Sequence, residues 1–251
     1  MSTIELATVE LGGPRPAIIV PLTGPDDEQV LAQATGAAAS PADIVEWRVD
    51  LFDEPTPARA GKLATEVAAR AARPLLTTVR TTAEGGRFGR GTGAYADLVA
   101  ALAASAGVEL VDVECARPGA AGLVAAVHEA GGYVVGSFHD VAATPGVGEM
   151  LDRLRAQAAA GADVCKIAVM PQAPADVARL LEACALADAE LDQPVIAMAM
   201  GPLGLASRLM GGDFGSAAGF ASLGGHASAP GQVPVEDLVA AVAVIDRLRR
   251  A

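Results

Sequence analysis

The stretch Asp163-Val164-Cys165-Lys166-Ile167-Ala168-Val169-Met170-Pro171 is a short apolar run with one lysine inside it. It is rich in β-branched residues and closed by a proline, so it predicts a buried strand. A buried lysine must pair its ammonium group or give up the proton, because an isolated charge is strongly disfavoured away from water. A neutral lysine is a nucleophile that captures carbonyl compounds. Of the 18 basic residues, only two are lysines, Lys62 and Lys166.

Apolar strands of this kind alternate with helical patterns along the whole chain. The predicted strands are Ala17–Leu22, Ile44–Val49, Leu75–Arg80, Leu110–Glu114, Tyr133–Phe138, Val164–Val169, Val195–Met200 and a small-residue strand at Ala217–Phe220. The predicted helices are Asp26–Thr35, Ala58–Ala72, Tyr95–Ala106, Leu123–Ala130, Gly148–Ala159, Ala175–Leu191 and Val235–Arg250. Helix ends are marked by Pro174 near a start and by Gly107, Gly131 and Gly161 after stops.

This alternation predicts an α/β fold of the closed (β/α)8 type, a TIM barrel, formed by residues 1–251 as a single domain. The open doubly wound sheet is the rival arrangement. Its dinucleotide-binding version is disfavoured because no G-x-G-x-x-G follows the first strand. Residues Thr3–Leu11 alternate like a strand ahead of the barrel, and we expect them to form a short hairpin that closes its bottom.

Composition limits the possible partners and the compartment. The net charge of −12 argues against binding to nucleic acid or to an anionic membrane surface. No apolar run reaches the roughly 18 residues needed to span a bilayer. Cys115, Cys165 and Cys184 are far apart and form no metal-type pair, so we expect reduced, buried thiols. With no evident signal peptide, this pattern predicts a cytoplasmic protein.

Polar side chains collect at the carboxyl ends of the predicted strands and in the loops that follow, where the active sites of such barrels lie. They are Glu46, Arg48, Arg80, Glu84, His139, Lys166, Arg208, Ser228 and Gln232. Structural interpretations exist for several of them: Glu46 could pair with Arg48 or with Lys166, and Arg80 could cap a strand end. The convergence of a lysine, a histidine, carboxylates and arginines on one rim favours a functional site.

The histidines differ in their surroundings. His139 follows Phe138 at a strand end, where a structural role is nearly as plausible as a catalytic one. His128 lies on a polar helix face, and we expect it at the surface. His226 lies in a glycine-rich loop that could be surface or lid. His139 is therefore the strongest catalytic candidate among them.

Together these residue types fit proton abstraction beside a ketone. A desolvated lysine attacks the ketone, and the resulting iminium acidifies the adjacent C–H. A histidine moves that proton, and a carboxylate such as Glu84 fixes its tautomer. Arginines clamp a substrate carboxylate, and Ser228 and Gln232 hydrogen-bond to hydroxyls. Aldol cleavage and dehydration are both compatible with this pattern.

Segments along the chain also match, in order, those of a known enzyme family. They are Glu46-Trp47-Arg48-Val49-Asp50, Thr78-Val79-Arg80 with Glu84-Gly85-Gly86, Val111-Asp112-Val113-Glu114, His139-Asp140 with Thr144-Pro145, Gly161-Ala162-Asp163 with Lys166-Ile167-Ala168-Val169-Met170-Pro171-Gln172, Ser207-Arg208-Leu209, Phe214-Gly215-Ser216-Ala217, and Ser228-Ala229-Pro230-Gly231-Gln232. On these residues the chain resembles the type I 3-dehydroquinate dehydratases, the Schiff-base enzymes of the shikimate pathway. The resemblance covers nearly the whole chain from Pro16.

The resemblance implies a homodimeric TIM barrel that needs no cofactor or metal. It implies conversion of 3-dehydroquinate to 3-dehydroshikimate, a step in aromatic amino-acid biosynthesis, by syn elimination. Lys166 would form the imine with the C3 ketone, His139 would move the C2 proton to the leaving C1 hydroxyl, and Glu84 would orient His139. Arg208 would bind the carboxylate. The other residues implied to bind substrate are Glu46, Arg48, Arg80, Ser228, Gln232, Met198 and Met200.

The residues alone leave two other functions open. One is a Schiff-base barrel of the class I aldolase or transaldolase kind, which would need a Lys–Asp or Lys–Glu–Tyr proton relay. Tyr95 is predicted at a helix start and Tyr133 at the bottom of a strand, so neither is well placed for it. The other is a non-catalytic ligand-binding barrel, against which the presence of Lys166, His139 and Glu84 argues.

Overall fold

The computed structural model describes residues 3–249, which fold into a (β/α)8 barrel behind a short hairpin. The strands are β1 (Ile4–Glu5), β2 (Glu10–Leu11), β3 (Ala17–Leu22), β4 (Ile44–Arg48), β5 (Leu75–Thr78), β6 (Val108–Glu114), β7 (Tyr133–Asp140), β8 (Val164–Val169), β9 (Val195–Ala199) and β10 (Ala218–Phe220). The α-helices are α1 (Asp27–Ala39), α2 (Pro57–Ala71), α3 (Thr92–Ala103), α4 (Ala120–Glu129), α5 (Val147–Ala159), α6 (Pro174–Glu190), α7 (Leu205–Met210) and α8 (Val235–Arg249).

The eight strands from β3 to β10 pair in parallel around the barrel, in chain order, and β10 returns to pair with β3. The gap between β9 and β10 is closed by the backbone amide of Ala217, which donates to the carbonyl of Val195 at 2.7 Å. The Oγ of Ser216 also accepts from the amide of Ala197 at 3.2 Å. The TIM barrel predicted from the alternation of elements is therefore confirmed.

The N-terminal hairpin closes the bottom of the barrel, as predicted. β1 and β2 pair antiparallel, with Ile4 opposite Leu11. Both residues, with Leu6, are buried in one apolar cluster with interior residues from the starts of the barrel strands, among them Ile19 and Ile44. Burial of these side chains stabilises the hairpin against the open end of the barrel.

Side-chain alternation along the strands separates the barrel interior from the layer beneath the helices. On β4, Val45 and Trp47 belong to the apolar layer under the helices, whereas Glu46 and Arg48 face the interior. On β8, both neighbours of Lys166 pack in the apolar cluster shared with α5 and α6. Lys166 must therefore point inward, toward the interior residues of β4.

Element boundaries differ from the predicted ones in a few places. β5 ends at Thr78, so Arg80 and Glu84 lie in the following loop and its 3-10 turn. The predicted loop that carries Arg208 contains the helix α7, whose six residues are too few to produce a periodic pattern. α1 continues to Ala39, beyond the predicted end at Thr35, because alanine favours helix.

The predicted helix-ending glycines adopt left-handed backbone conformations. The φ angles of Gly107, Gly131 and Gly161 are +80°, +85° and +92°, which glycine accommodates without strain. Pro174 is the first residue of α6. The predicted end of the last helix at Arg250 lies outside the described residues. Within residues 3–249, no helix combines the length and apolarity needed to cross a membrane.

Candidate active site

A cavity of about 350 Å³ opens at the carboxyl ends of the barrel strands. Its wall contains every residue that the sequence predicted for the site except Arg208. Those residues are Glu46, Arg48, Arg80, Glu84, His139, Lys166, Met198, Met200, Ser228 and Gln232. Val141, Met170 and Phe220 add apolar surface. The wall therefore combines a nucleophile, a base and cations with apolar area, which suits a small polar molecule.

Lys166 projects into this cavity and is only 3% exposed. Its Nζ lies 3.3 Å from Asp112 Oδ2 and 3.9 Å from Glu46 Oε1. The centre of the Phe220 ring is 4.7 Å from the same nitrogen. The sequence suggested Glu46 as a partner, but Asp112 is closer and is the one that accepts a hydrogen bond. Two carboxylates and an aromatic face thus surround the nucleophile.

The backbone of Lys166 is fixed by a buried side chain from α5. Gln157 Oε1 accepts from the Lys166 amide at 2.9 Å, and Gln157 Nε2 donates to the Lys166 carbonyl at 3.0 Å. Gly136 on the neighbouring strand leaves room, because a Cβ there would lie 3.2 Å from the Cβ of Gln157. A glutamine within a helix pattern carries no sign of this role, so sequence reasoning missed it.

Arg80 is the centre of a buried charge network behind the cavity wall. Its Nη1 donates to Glu84 Oε2 at 3.2 Å, to Glu114 Oε1 at 3.0 Å and to Ser137 Oγ at 3.0 Å. Its Nη2 donates to Asp112 Oδ2 at 2.7 Å. Burial would lower the pKa of this guanidinium, but the three carboxylates overcome it and raise the pKa above its ordinary value. Arg80 is therefore a permanent cation that organises the acids around it.

Asp112 and Glu114 were quoted for the family resemblance but were given no role in the site. Both are almost completely buried on β6, with the side chain of Asp112 fully inaccessible. Burial opposes ionisation of Asp112, but Arg80 and Lys166 outweigh it and lower its pKa. The spacing of Asp112 and Glu114 could have indicated this site from the sequence. Carboxylates two residues apart on a buried strand point to the same side, and they require cations there.

His139 and Glu84 form the contact that the family resemblance implies. His139 Nδ1 lies 2.9 Å from Glu84 Oε2, and the imidazole is 12% exposed. Because Nδ1 is engaged by the carboxylate, Nε2 is the ring nitrogen left for a substrate in the cavity. The carboxylate selects the tautomer with the proton on Nδ1 and a free lone pair on Nε2.

Burial and neighbouring charges move the pKa values of this pair in opposite directions. Burial, reinforced by Glu114 and Asp112, raises the pKa of Glu84 to about 8 against the opposing effect of Arg80. Burial and the positive charges of Arg80, Lys166 and Arg48 lower the pKa of His139 well below its ordinary value. The imidazole is thus held neutral, which is the state that a general base requires.

Arg48 is held by Asp50 in a two-pronged ion pair. Its Nε donates to Asp50 Oδ1 at 2.8 Å and its Nη2 to Asp50 Oδ2 at 2.9 Å. The pairing of Glu46 with Arg48 that the sequence suggested is not what fixes either side chain. Glu46 Oε1 instead accepts from Thr78 Oγ1 at 2.9 Å. Both side chains therefore keep a fixed orientation toward the cavity.

The segment of residues 227–232 covers the mouth of the cavity. The amide of Ser228 donates to Gln232 Oε1 at 2.9 Å, and Gln232 Nε2 donates to Ser228 Oγ at 3.2 Å. The carbonyl of Ser228 accepts from Arg48 Nη1 at 3.1 Å. Gly231 has a φ of +79° and so little space that a Cβ would lie 2.3 Å from the carbonyl oxygen of Gly201. Only glycine fits this approach of the segment to the barrel.

Arg208 is the predicted residue that the structure does not place on the cavity wall. It is buried on α7, and its Nη2 donates to the carbonyl of Pro230 at 3.0 Å, while Nη1 lies 3.5 Å from the carbonyl of Phe220. Its Nε has no partner among the described residues. Burial lowers the pKa of Arg208 to about 10. The segment of residues 227–232 therefore takes up one N–H of the guanidinium that was expected to hold a carboxylate.

The remaining histidines and the cysteines do not line the cavity. His128 is exposed and pairs with Asp163 at 2.8 Å, and His226 is exposed. The cysteines are free thiols; Cys165 is buried as predicted, but Cys115 is only partly buried. Burial raises the pKa of Cys115 to about 11. Within the described part of the chain, no three His, Cys, Asp or Glu side chains cluster as a metal site.

The family model for type I 3-dehydroquinase matches residues 18–249. The chain belongs to the type I 3-dehydroquinase family. It is 42% identical over 239 residues to a 3-dehydroquinate dehydratase from Lactiplantibacillus plantarum, covering 94% of each chain. A crystal structure of 3-dehydroquinate dehydratase from Geobacillus kaustophilus superposes with a TM-score of 0.93 at 35% identity, covering 98% of this chain and 97% of that one.

A second solved member of the type I 3-dehydroquinase family carries a ligand. The type I 3-dehydroquinate dehydratase from Clostridium difficile, determined with covalently modified comenic acid, superposes with a TM-score of 0.93 at 32% identity. It covers 98% of each chain. Family membership thus agrees with the resemblance drawn from the quoted segments, and it covers the strands and loops that carry the cavity.

The structure contains only part of the proton relay that the alternative aldolase interpretation requires. The Lys–Asp contact that it needs is present between Lys166 and Asp112. Neither tyrosine lines the cavity: Tyr95 is buried behind β6, where its hydroxyl accepts from the Glu114 amide at 3.2 Å, and Tyr133 is exposed at the start of β7. Membership of the type I 3-dehydroquinase family favours the dehydratase interpretation over this one and over a non-catalytic barrel.

Proposed function

We propose that this chain is a hydro-lyase that converts 3-dehydroquinate to 3-dehydroshikimate through a Schiff base on Lys166, without a cofactor. One observation carries the proposal: the Lys166 amine and the His139–Glu84 pair line one cavity in a member of the type I 3-dehydroquinase family. Curated relatives along the full length of the chain are named 3-dehydroquinate dehydratase. The reaction belongs to the shikimate pathway of aromatic amino-acid biosynthesis.

Imine formation is the first chemical stage. The neutral Lys166 amine adds to the C3 ketone, and the carbinolamine takes up one proton and loses its oxygen as water to give an iminium. The final hydrolysis of the iminium releases that proton again. The positive nitrogen withdraws electrons and acidifies the C2–H bond. Burial of Lys166 favours this stage, because little solvation must be stripped from the attacking nitrogen.

Elimination follows at the carbon beside the iminium. His139 Nε2 takes the C2 proton, which leaves an enamine, and then returns a proton to the C1 hydroxyl as that group leaves as water. The proton taken is the proton given, so the histidine ends the step unchanged. Glu84 supports the imidazolium between the two transfers through its 2.9 Å contact with Nδ1. Water then hydrolyses the conjugated iminium and releases the product from Lys166.

Substrate-binding roles are proposed for the other residues of the wall. Arg48, fixed by Asp50, and Glu46, fixed by Thr78, offer oriented partners to ring hydroxyls. Arg80, Ser228 and Gln232 complete the polar contacts, and Met198 and Met200 pack against the ring.

The rate should depend on pH through the Glu84–His139 pair. When Glu84 is protonated, its carboxyl donates a hydrogen bond to Nδ1 of His139. The ring proton then lies on Nε2, so no lone pair faces the substrate and no base is available. Because the pKa of Glu84 is raised to about 8, we expect kcat/KM to fall as the pH drops below about 8. The measurement is kcat/KM for 3-dehydroquinate from mild acid to mild base.

Glu84→Gln tests the assignment of this acid limb. The variant loses a charge-assisted hydrogen bond of about 1.5–3 kcal/mol, so kcat should fall by about 10–100-fold. The limb near pH 8 should disappear, because the titrating carboxyl is gone. A limb that persists unchanged in Glu84→Gln would show that another group controls the rate.

Arg208→Gln tests carboxylate binding. Arg208 gives one Nη2 hydrogen to the carbonyl of Pro230, while its Nε has no partner among the described residues, so donors remain for a substrate carboxylate. Loss of a charged hydrogen-bonding partner should raise KM by about 10–100-fold with a smaller change in kcat. Arg15→Gln, which alters an arginine paired with Asp43 at the other end of the barrel, is the matched control and should leave KM unchanged. An unchanged KM in Arg208→Gln would contradict the role.

The direct test of the proposed activity follows the product by absorbance. Purified protein mixed with 3-dehydroquinate should produce the conjugated enone absorbance of 3-dehydroshikimate, with catalytic turnover. Quinate, which has a hydroxyl in place of the ketone, should give no signal because it offers no carbonyl to Lys166. Absence of the enone absorbance with 3-dehydroquinate would overturn the proposed function.

Assembly and location are further proposals. We infer a homodimer of single-domain chains spanning residues 1–251 and located in the cytoplasm. Five exposed apolar side chains on α6 and on the adjoining segment of residues 203–214 support a surface for a second copy: Leu186, Leu203, Leu205, Met210 and Phe214. The free state of all three cysteines fits a reducing compartment. Light scattering at the mass of one chain would contradict the dimer.

A further inference from the structure

We propose that Asp112 is the counter-ion of the Lys166 iminium. The inference rests on the proposed function, since it assigns a group to the intermediate of that reaction. Asp112 does not line the cavity, but its Oδ2 lies 3.3 Å from Lys166 Nζ, the nitrogen that becomes the iminium. Glu46, which does line the cavity, is farther from that nitrogen at 3.9 Å.

The hydrogen bonds of Asp112 leave it suited to this role. Oδ1 accepts from Ser137 Oγ at 2.7 Å, which fixes the plane of the carboxylate. Oδ2 accepts from Arg80 Nη2 at 2.7 Å and from Lys166 Nζ at 3.3 Å. An iminium nitrogen keeps one N–H. Its other bonds go to the Cε of Lys166 and to the substrate carbon. The single N–H therefore needs one acceptor, on the side away from the substrate. Asp112 occupies that position.

The balance of charge around Arg80 points to the same conclusion. This one guanidinium is ion-paired with Glu84, Asp112 and Glu114, at 3.2, 2.7 and 3.0 Å. Among the described residues, Lys166 is the other cation paired with Asp112. Arg117 also pairs with Glu114, at 3.7 Å. With Glu84 ionised and Lys166 a neutral amine, the three carboxylates face two cations, so one negative charge is left over. The iminium supplies a positive charge where that excess is already fixed, so the intermediate is stabilised without reorganisation.

The Phe220 ring covers another side of the same nitrogen. Its centre lies 4.7 Å from Lys166 Nζ, within the range of a cation–π contact. The iminium would thus be enclosed by a carboxylate and an aromatic face, with little access for water. The ionisable groups that face the cluster are Glu46 and Arg48 on β4, Arg80 and Glu84 after β5, Tyr95 on α3, Glu114 on β6, Cys115 and Arg117 after β6, His139 on β7 and Lys166 on β8.

Asp112→Asn tests the assignment by its effect on the basic limb of the pH profile. Above the pKa of the iminium, the intermediate loses its proton and becomes a neutral imine, which is a poor electron sink. An opposite charge within about 4–6 Å shifts such an equilibrium by about 1–3 pH units. The basic limb of kcat with 3-dehydroquinate should therefore move down by about 1–3 pH units in Asp112→Asn. The amount of borohydride-trapped adduct at alkaline pH should fall with it.

Glu114→Gln is the matched control. Glu114 is also a buried carboxylate on β6 that pairs with Arg80, but its other contacts go to Thr81 and Arg117 and not to Lys166. Asp112→Asn leaves Arg80 with two carboxylates, and so does Glu114→Gln. A basic limb that moves only in Asp112→Asn supports the counter-ion. Equal movement in both variants, or none in Asp112→Asn, overturns it.

Ser137→Ala provides an independent test that does not remove the buried charge. Loss of the Ser137 hydroxyl leaves the charge on Asp112 less neutralised, so the basic limb should stay in place or move to higher pH. A basic limb that moves to lower pH in Ser137→Ala would overturn the role of Asp112 as counter-ion, even if Asp112→Asn does not fold. Normal turnover by the unmodified protein with no shift in Asp112→Asn defeats only the counter-ion. Absence of turnover by the unmodified protein defeats the proposed function and the counter-ion with it.

Discussion

Lys166→Met should reduce the conversion of 3-dehydroquinate by at least about 10⁴-fold, because no other group in the cavity can form the covalent intermediate. Methionine is unbranched and fills the space of the lysine stem. Asp112, which loses one partner, remains ion-paired with Arg80 at 2.7 Å. The fold should therefore persist, and the thermal unfolding midpoint should stay near that of the unmodified protein. The measurements are the enone absorbance and a thermal melt.

Lys62→Met is the control that the chain itself offers. Lys62 is the other lysine; its side chain is 84% exposed on α2 and lies 3.8 Å from Glu66. A surface pair of this kind contributes little, so activity and stability should both be unchanged. Substantial turnover by folded Lys166→Met would contradict covalent catalysis at this residue.

His139→Ala should separate imine formation from elimination. Loss of a positioned general acid–base should lower kcat by about 10²–10⁴-fold. The Lys166 amine, its carboxylate neighbours and the Phe220 ring remain, so borohydride should still trap some substrate on the lysine. Turnover is followed by the enone absorbance and trapping by protein mass.

His128→Ala is the matched control for that experiment. His128 is an exposed histidine that pairs with Asp163 at 2.8 Å, and its loss should leave turnover unchanged. Normal turnover in His139→Ala would make His139 a structural residue. Loss of trapping together with turnover would place His139 before imine formation rather than after it.

Local patterns were sufficient to predict the barrel and most of the cavity wall. The period-two alternation of β4 and β8 put Glu46, Arg48 and Lys166 on the interior face, and parallel strands bring their carboxyl ends to one rim. Because these residues lie at or near strand ends, their convergence follows from topology alone. No long-range contact had to be known in advance.

The partners of these residues could not be predicted in the same way. Asp112 lies 54 positions from Lys166 in the chain, and only the register of the strands brings their side chains within 3.3 Å. Gln157 reaches the Lys166 backbone from a helix whose sequence pattern gives it no special position. Such contacts depend on the packing of separate elements, which spacing along the chain does not encode.

Arg208 shows a different limit. The family resemblance implied that Arg208 binds the substrate carboxylate, but in the structure its Nη2 donates to the carbonyl of Pro230, 22 positions away. The same segment also accepts from Arg48 through the carbonyl of Ser228. The segment and the substrate therefore compete for, or must share, the cations of the site. A carboxylate at Arg208 would use the donors that the segment leaves free or would displace the carbonyl of Pro230, so the position of the segment bears on substrate recognition.

The most direct test of covalent catalysis is to identify the amine that carries the substrate. The purified protein is mixed with 3-dehydroquinate, reduced with borohydride, digested and mapped by mass. We expect one substrate-derived adduct, on the peptide that contains Lys166, and none on the peptide that contains Lys62. Catalytic turnover with no adduct on Lys166, or with equal labelling of both lysines, would contradict it.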